Sequence, residues 1–261
     1  MLPEPASSRR CPVWPECPWD LWDVASVMLQ IYIWYIAAGE AAAVRFQQHD
    51  EWLTQLWAAQ LGAYLLSWIS LHALLRQVSL NSWRPVLGCH VQWRKLWPAL
   101  GGALVLGFVS APARRGQLLP TSPTPLHAEL RAAQHMAAAG EMPSVAGLLL
   151  LVGFVAPAFE ELIFRGFLLM ALGDTGSPIF ISSCLFGLFH CHPNGPTGFR
   201  PFLPSTLLGA WFAFVLLKTR SLKMAILLHQ SWNAGHILLV VLLTRLGAQA
   251  WVMEIAVSCY A

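Results

Sequence analysis

The sequence predicts an all-α protein, a polytopic transmembrane helical bundle, from its composition and its long apolar runs. Of the 261 residues, 56% are hydrophobic and only 11% are charged, whereas an average soluble domain is about 25% charged. The chain contains 13 tryptophans, and tryptophan is enriched at membrane interfaces because its ring is amphipathic. Several apolar runs reach the length of about 20 residues that a bilayer-spanning helix needs. The net charge of +3 is small and scattered, so no nucleic-acid partner is expected.

About eight spans follow from these runs. We expect them at residues 24–44, 52–75, 97–111, 143–172, 178–190, 202–217, 224–243 and 247–260. Residues 1–23 are Pro-rich and form an N-terminal tail, and residues 24–261 form a single integral-membrane domain. A short helix over residues 126–139 interrupts the spans, with Pro125 at its first position and Gly140 at its end. The fourth span exceeds one crossing, so it is expected to be tilted, kinked near Pro157 or protruding.

The basic residues predict the orientation of the chain. With eight spans, all three lysines fall in loops on the same side as the N-terminus. Of the Lys and Arg residues outside the spans, nine lie on that side and six on the other. Positively charged loops are enriched on the cytoplasmic side of membrane proteins, so the N-terminus is expected to be cytoplasmic.

The fourth span contains two adjacent glutamates, Glu160 and Glu161, and one arginine, Arg165. A charged side chain at the centre of a membrane helix costs about 2.5–3.5 kcal/mol, so such residues are usually functional and paired. Glu161 and Arg165 are four residues apart with the acid first, the favourable order for an ion pair on one helix face. Glu160 points about 100° away and is left for another role.

Two later spans carry the other intramembrane polar groups, His190 at the end of the fifth and His229 with Asn233 in the seventh. A turn at residues 173–177 makes the fourth and fifth spans an antiparallel hairpin, which places Glu160 and His190 both about 18 Å from that turn. His229 and Asn233 lie about 10 and 16 Å in from the same side. The four side chains are therefore expected to fall within one slab of depth below the cytoplasmic surface.

These residue types are suited to amide hydrolysis by water. A carboxylate and an imidazole can hold and deprotonate a water molecule. A second imidazole and an amide can donate hydrogen bonds to a developing oxyanion. Ser231 lies close to the third group in sequence but on a different helix face, so it is a poorer candidate for a nucleophile.

The ordered set of three motifs resembles the CPBP family of CAAX prenyl endopeptidases and bacteriocin-processing and immunity proteins. The motifs are Glu160-Glu161-x-x-x-Arg165, Phe186-x-x-x-His190 and His229-x-x-x-Asn233, and the resemblance covers about residues 143–243. It implies a glutamic intramembrane endopeptidase without a cofactor, acting on a prenylated or anchored membrane protein. It further implies that Glu160 and His190 activate the water and that His229 and Asn233 form the oxyanion hole. Glu161 and Arg165 would be supporting residues.

Two alternatives remain open at this point. A zinc-dependent intramembrane protease would take its ligands from Glu160, His190 and His229, with His192 or His236 as further candidates, although no HExxH motif is present. A non-catalytic immunity or scaffold protein, or a proton-coupled carrier, could also contain intramembrane Glu and His residues. No internal repeat of the kind found in transporters is visible. For His236 the more economical interpretation is helix packing.

Overall fold

The architecture is entirely helical within the residues that the computed structural model describes. These residues are 19–20, 22–31, 33, 52–77, 84–88, 90–115, 128–173, 176–191, 199 and 201–248. The helices are α1 (22–31), α2 (Trp52–Gln77), α3 (Arg84–Leu87), α4 (Trp93–Arg115), α5 (Ala128–Ala139), α6 (Met142–Leu172), α7 (Gly176–Phe189), α8 (Phe202–Thr219) and α9 (Leu222–Arg245). In these ranges there is no β-strand, and the one extended contact is an isolated bridge between Gly88 and Ser221.

Three of the described helices, α6, α8 and α9, are long and apolar enough to cross a membrane. The 14 residues of α7 and the apolar part of α2, Leu61–Leu74, are shorter than a full crossing. The predicted eighth span, and the first span beyond residue 33, lie outside the described residues. The all-α membrane architecture is therefore confirmed, whereas the count of about eight spans is not.

The long central helix α6 is not a regular α-helix. Two π-helical segments, Leu149–Val155 and Leu162–Leu168, enclose a short α-helical stretch, Ala156–Glu161. The irregularity expected near Pro157 thus takes the form of wider turns on both sides of the double glutamate. Such π-helical turns are rare and are often found at functional sites.

Small residues bring the helices around α6 into close contact. A Cβ atom on Gly153 would lie 3.3 Å from the Cα of Ala234, so α6 and α9 touch there almost backbone to backbone. A Cβ on Gly187 of α7 would lie 2.6 Å from the carbonyl oxygen of Phe202 at the start of α8. Small residues favour such close approach between membrane helices. The polar residues of α6, α7 and α9 are thereby brought within reach of one another.

The two ends of the bundle are closed by different contacts. At one end the indole of Trp19 donates a hydrogen bond to the carbonyl of Phe167, and Gly88 pairs with Ser221. Near the other end α5 packs on α9, with Leu130 and Ile237 among the buried residues. Helix α5 ends as predicted at Gly140, whose φ of +82° suits a residue without a side chain.

Candidate active site

The base of the site is a buried ion pair within α6. Nη1 of Arg165 donates to Oε1 of Glu161 at 3.0 Å, and both side chains are 0% exposed. Nη2 of Arg165 donates to the carbonyl of Gly209 at 2.9 Å. The i,i+4 pair predicted from the sequence is confirmed. Because a Cβ at position 209 would lie only 2.8 Å from Nη2, glycine is needed for this approach of α8.

Aromatic rings surround the guanidinium of Arg165. Its central carbon lies 4.2 Å from the ring centre of Phe186 and 5.7 Å from those of Phe164 and Phe212. The negative ring faces stabilise a cation that has no water around it. Arg165 therefore joins α6, α7 and α8 at one buried point and supplies a fixed positive charge next to Glu161.

Glu161 also holds His229, a contact that the sequence did not predict. Nδ1 of His229 lies 2.9 Å from Oε1 of Glu161, the same oxygen that accepts from Arg165. An oxygen that accepts from a guanidinium is an acceptor for the imidazole as well, so Nδ1 of His229 carries a hydrogen and donates it. The contact fixes the ring and turns Nε2 away from Glu161, towards Glu160.

His190 is held in an analogous way by its own helix. Its Nδ1 lies 2.8 Å from the carbonyl oxygen of Phe186, one turn earlier in α7. A carbonyl only accepts hydrogen bonds, so Nδ1 of His190 is a donor and Nε2 is directed elsewhere. The side chain is 25% exposed, in contrast to the 4% of His229.

The remaining nitrogens of both histidines converge on Glu160. Oε2 of Glu160 lies 3.8 Å from Nε2 of His190 and 3.8 Å from Nε2 of His229. These separations are too long for direct hydrogen bonds, and at such distances a water molecule commonly connects the groups. The side chains of Glu160 and His190 are 28% and 25% exposed, so these two groups are not sealed inside the bundle. The structure thus brings together Glu160, His190 and His229, which the sequence predicts to lie at similar depth in the membrane.

Asn233 lies one turn beyond His229 and contacts the backbone of α6. Its Nδ2 donates to the carbonyl oxygen of Val152 at 3.2 Å. An amide nitrogen has two hydrogens, so the second remains for another acceptor. The close approach of Gly153 to Ala234 makes this contact possible, because both are neighbours of the bonded residues.

The other polar residues considered from the sequence are placed differently. Nδ1 of His236 bonds the carbonyl of Trp232 at 2.7 Å, and the buried ring packs on that indole at 4.6 Å. His192 lies outside the described residues. In the part of the chain that the structure describes, no group of three or more His, Cys, Asp or Glu residues is arranged to hold a metal ion.

Fold and site together define a multi-pass helical membrane protein with a carboxylate and two oriented imidazoles inside the helical bundle. Residues 142–235 match the Rce1-like family model, described as type II CAAX prenyl endopeptidase Rce1-like. This segment therefore contains an Rce1-like domain, and the resemblance to the CPBP family is confirmed. The match supports a CAAX-type intramembrane protease at the level of the family. No curated protein and no solved structure matches the chain significantly.

Proposed function

We propose that the protein is a glutamic intramembrane endopeptidase that hydrolyses a peptide bond near the C-terminus of a prenylated or anchored membrane protein. The observation that supports this most strongly is the convergence of Glu160 Oε2 with the Nε2 atoms of His190 and His229, each 3.8 Å away. In a neutral His190 whose Nδ1 donates, Nε2 is an acceptor, as is Oε2 of Glu160. These two acceptors match the two hydrogens of one water molecule.

Glu160 and His190 activate this water. Both are partly exposed, so water and a substrate carbonyl can reach them. As the water oxygen bonds to the carbonyl carbon, its proton passes to Glu160, with Nε2 of His190 accepting the other hydrogen bond. When the carbon–nitrogen bond breaks, the proton is delivered to the leaving amine. A positioned base of this kind accelerates hydrolysis by about 10²–10⁴-fold.

His229 and Asn233 stabilise the oxyanion. Since Nδ1 of His229 already donates to Glu161, Nε2 can donate only when the ring carries both protons. In this proposal the ring carries both protons during the oxyanion step and keeps its contact of 2.9 Å with the Glu161 carboxylate. The second hydrogen of Asn233 Nδ2 completes the oxyanion hole. Removal of one such donor typically lowers kcat about 10²–10³-fold.

The charged end of the bundle supports a cytoplasmic site. Arg94, Lys95, Lys218 and Arg220 are exposed, and the bridge from Gly88 to Ser221 joins their two segments. Under the positive-inside rule this basic end favours the cytoplasmic side, the side on which the sequence also predicts the N-terminus. A prenylated protein anchored at the cytoplasmic leaflet would present its C-terminus to the side of the bilayer on which this end lies.

The test is proteolysis by purified protein in liposomes, with prenylated C-terminal peptides and C-terminal anchor segments as substrates. We expect wild-type protein to cleave at least one of them, Glu160→Ala and His190→Ala to be inactive, and a zinc chelator to change nothing. Activity lost to the chelator and restored by zinc would establish the zinc-dependent alternative instead. A folded wild-type protein that binds these substrates without cleaving any of them would favour the non-catalytic alternative.

A further inference from the structure

The carbonyl of Val152 receives no hydrogen bond from the backbone ladder of its own helix. In an α-helix its donor would be the N–H of Ala156, but that group bonds instead to Leu151, five residues back. In the π-helical pattern the donor for Val152 would be residue 157, which is proline and has no N–H. The change from π- to α-helix and the proline together remove both backbone donors.

The donor that replaces them is Asn233. Its Nδ2 bonds the Val152 oxygen at 3.2 Å. Val152 is only 8% exposed, so water has little access to its carbonyl. An unbonded carbonyl inside a membrane is costly, and side chains of neighbouring helices commonly satisfy backbone groups that a proline has freed. The contact therefore ties the orientation of Asn233 to the identity of residue 157.

We propose that Pro157 is a positioning residue for the oxyanion donor. By withholding an N–H, it leaves the Val152 carbonyl to bind one hydrogen of Asn233 Nδ2, which directs the other hydrogen towards the substrate. This inference rests on the proposed function, in which Asn233 donates to the oxyanion. Pro157 itself touches neither water nor substrate in this scheme.

The Pro157→Ala variant supplies the missing N–H and makes it compete with Asn233 for the Val152 oxygen. We expect kcat to fall about tenfold, less than for loss of a whole donor, with KM little changed. The control is Pro143→Ala in the same helix. Pro143 lies in the first turn, where an added N–H has no acceptor within the helix, so kcat should change less than about twofold. Equal activity of Pro157→Ala and wild type would overturn the proposal.

A double variant separates positioning from general damage to the helix. In an Asn233→Ala background, Pro157→Ala should lower kcat no further, because the residue that it positions is gone. Multiplicative losses would show that Pro157 acts independently of Asn233 and would overturn the inference. If Asn233→Ala alone left cleavage unchanged, the proposed oxyanion role would fail first.

A measurement without turnover covers the case in which Pro157→Ala does not fold. The carbonyl carbon of Val152 can be labelled with ¹³C and its resonance compared between wild type and Asn233→Ala. We expect the resonance to move when the Asn233 hydrogen bond is lost, and to stay in place in Pro143→Ala. An unchanged resonance in Asn233→Ala would overturn the inference, whatever the activity of that variant.

Discussion

Glu160 and Glu161 are neighbours in sequence but have opposite environments. Glu161 is 0% exposed, and its Oε1 accepts from both Arg165 and His229. Glu160 is 28% exposed and stands 3.8 Å from its two histidine neighbours. One carboxylate is fixed by direct contacts, whereas the other is partly exposed.

This difference assigns the two carboxylates different tasks. A carboxylate that already accepts two charge-assisted hydrogen bonds is a poor proton acceptor but a good anchor for an imidazole. A carboxylate without a close partner can accept a proton from water and return it. In the proposed mechanism Glu161 therefore holds His229 in place and Glu160 accepts the proton from water.

The largest expected effect is the loss of activity in Glu160→Gln. The amide keeps the shape of the side chain but does not accept a proton, so the cleavage rate should fall about 10²–10⁴-fold. Among the described residues the ion-pair partners of Glu160 are both 3.8 Å away, so the thermal stability should stay near that of wild type. Glu141→Gln, the same change at an exposed position at the start of α6, should keep full activity. A Glu160→Gln protein with wild-type rates would remove Glu160 from the mechanism.

A second comparison concerns the stability of the Glu161–Arg165 pair. Glu161→Gln or Arg165→Met leaves one buried charge without its partner, which should cost about 3–5 kcal/mol in unfolding free energy. The double variant should recover most of that loss, because no unpaired charge remains. It should still be inactive, since His229 has lost its charged acceptor. Denaturant unfolding and cleavage assays on the three proteins would check this, and an active double variant would contradict the role of Glu161.

A smaller loss of stability is expected from Gly209→Ala. The added Cβ would lie 2.8 Å from Arg165 Nη2 and 3.0 Å from a ring carbon of Phe186, so α8 must shift. Such overpacking costs about 1–3 kcal/mol. In Gly235→Ala the new methyl group has no atom within 4 Å, and the helix should become slightly more stable. Thermal unfolding of both variants measures the difference, and equal stabilities would show that the Arg165 pocket tolerates extra volume.

Much of the site follows from spacing in the sequence. The Glu161–Arg165 contact needs only one helix and a separation of four residues, and it is present at 3.0 Å. The meeting of Glu160, His190 and His229 follows from their positions within one slab of depth below the same membrane surface. Depth depends on rise per residue, which the π-helical turns change little.

The specific hydrogen bonds between helices could not be predicted, because they depend on rotation about the helix axis. Each π-helical turn changes the direction in which later residues point, and no residue pattern marked the two segments. The bond of His229 to Glu161 and that of Asn233 to Val152 both depend on this rotation. For the bond of Asn233 to Val152, the feature of the sequence that could have indicated it is Pro157, since a proline leaves an unpaired carbonyl earlier in the helix.

The position of Arg165 four residues after Glu161 has a consequence for how the chain enters the membrane. Each charge alone would oppose insertion by about 2.5–3.5 kcal/mol at the centre of a helix. Because the pair lies on one face of one helix, the two charges can neutralise each other as soon as α6 forms, before α7, α8 and α9 have been inserted. Helix α6 thus inserts with the counter-ion of Arg165 already in place. The later helices α7 and α8 then add the ring of Phe186 and the carbonyl of Gly209 around the guanidinium.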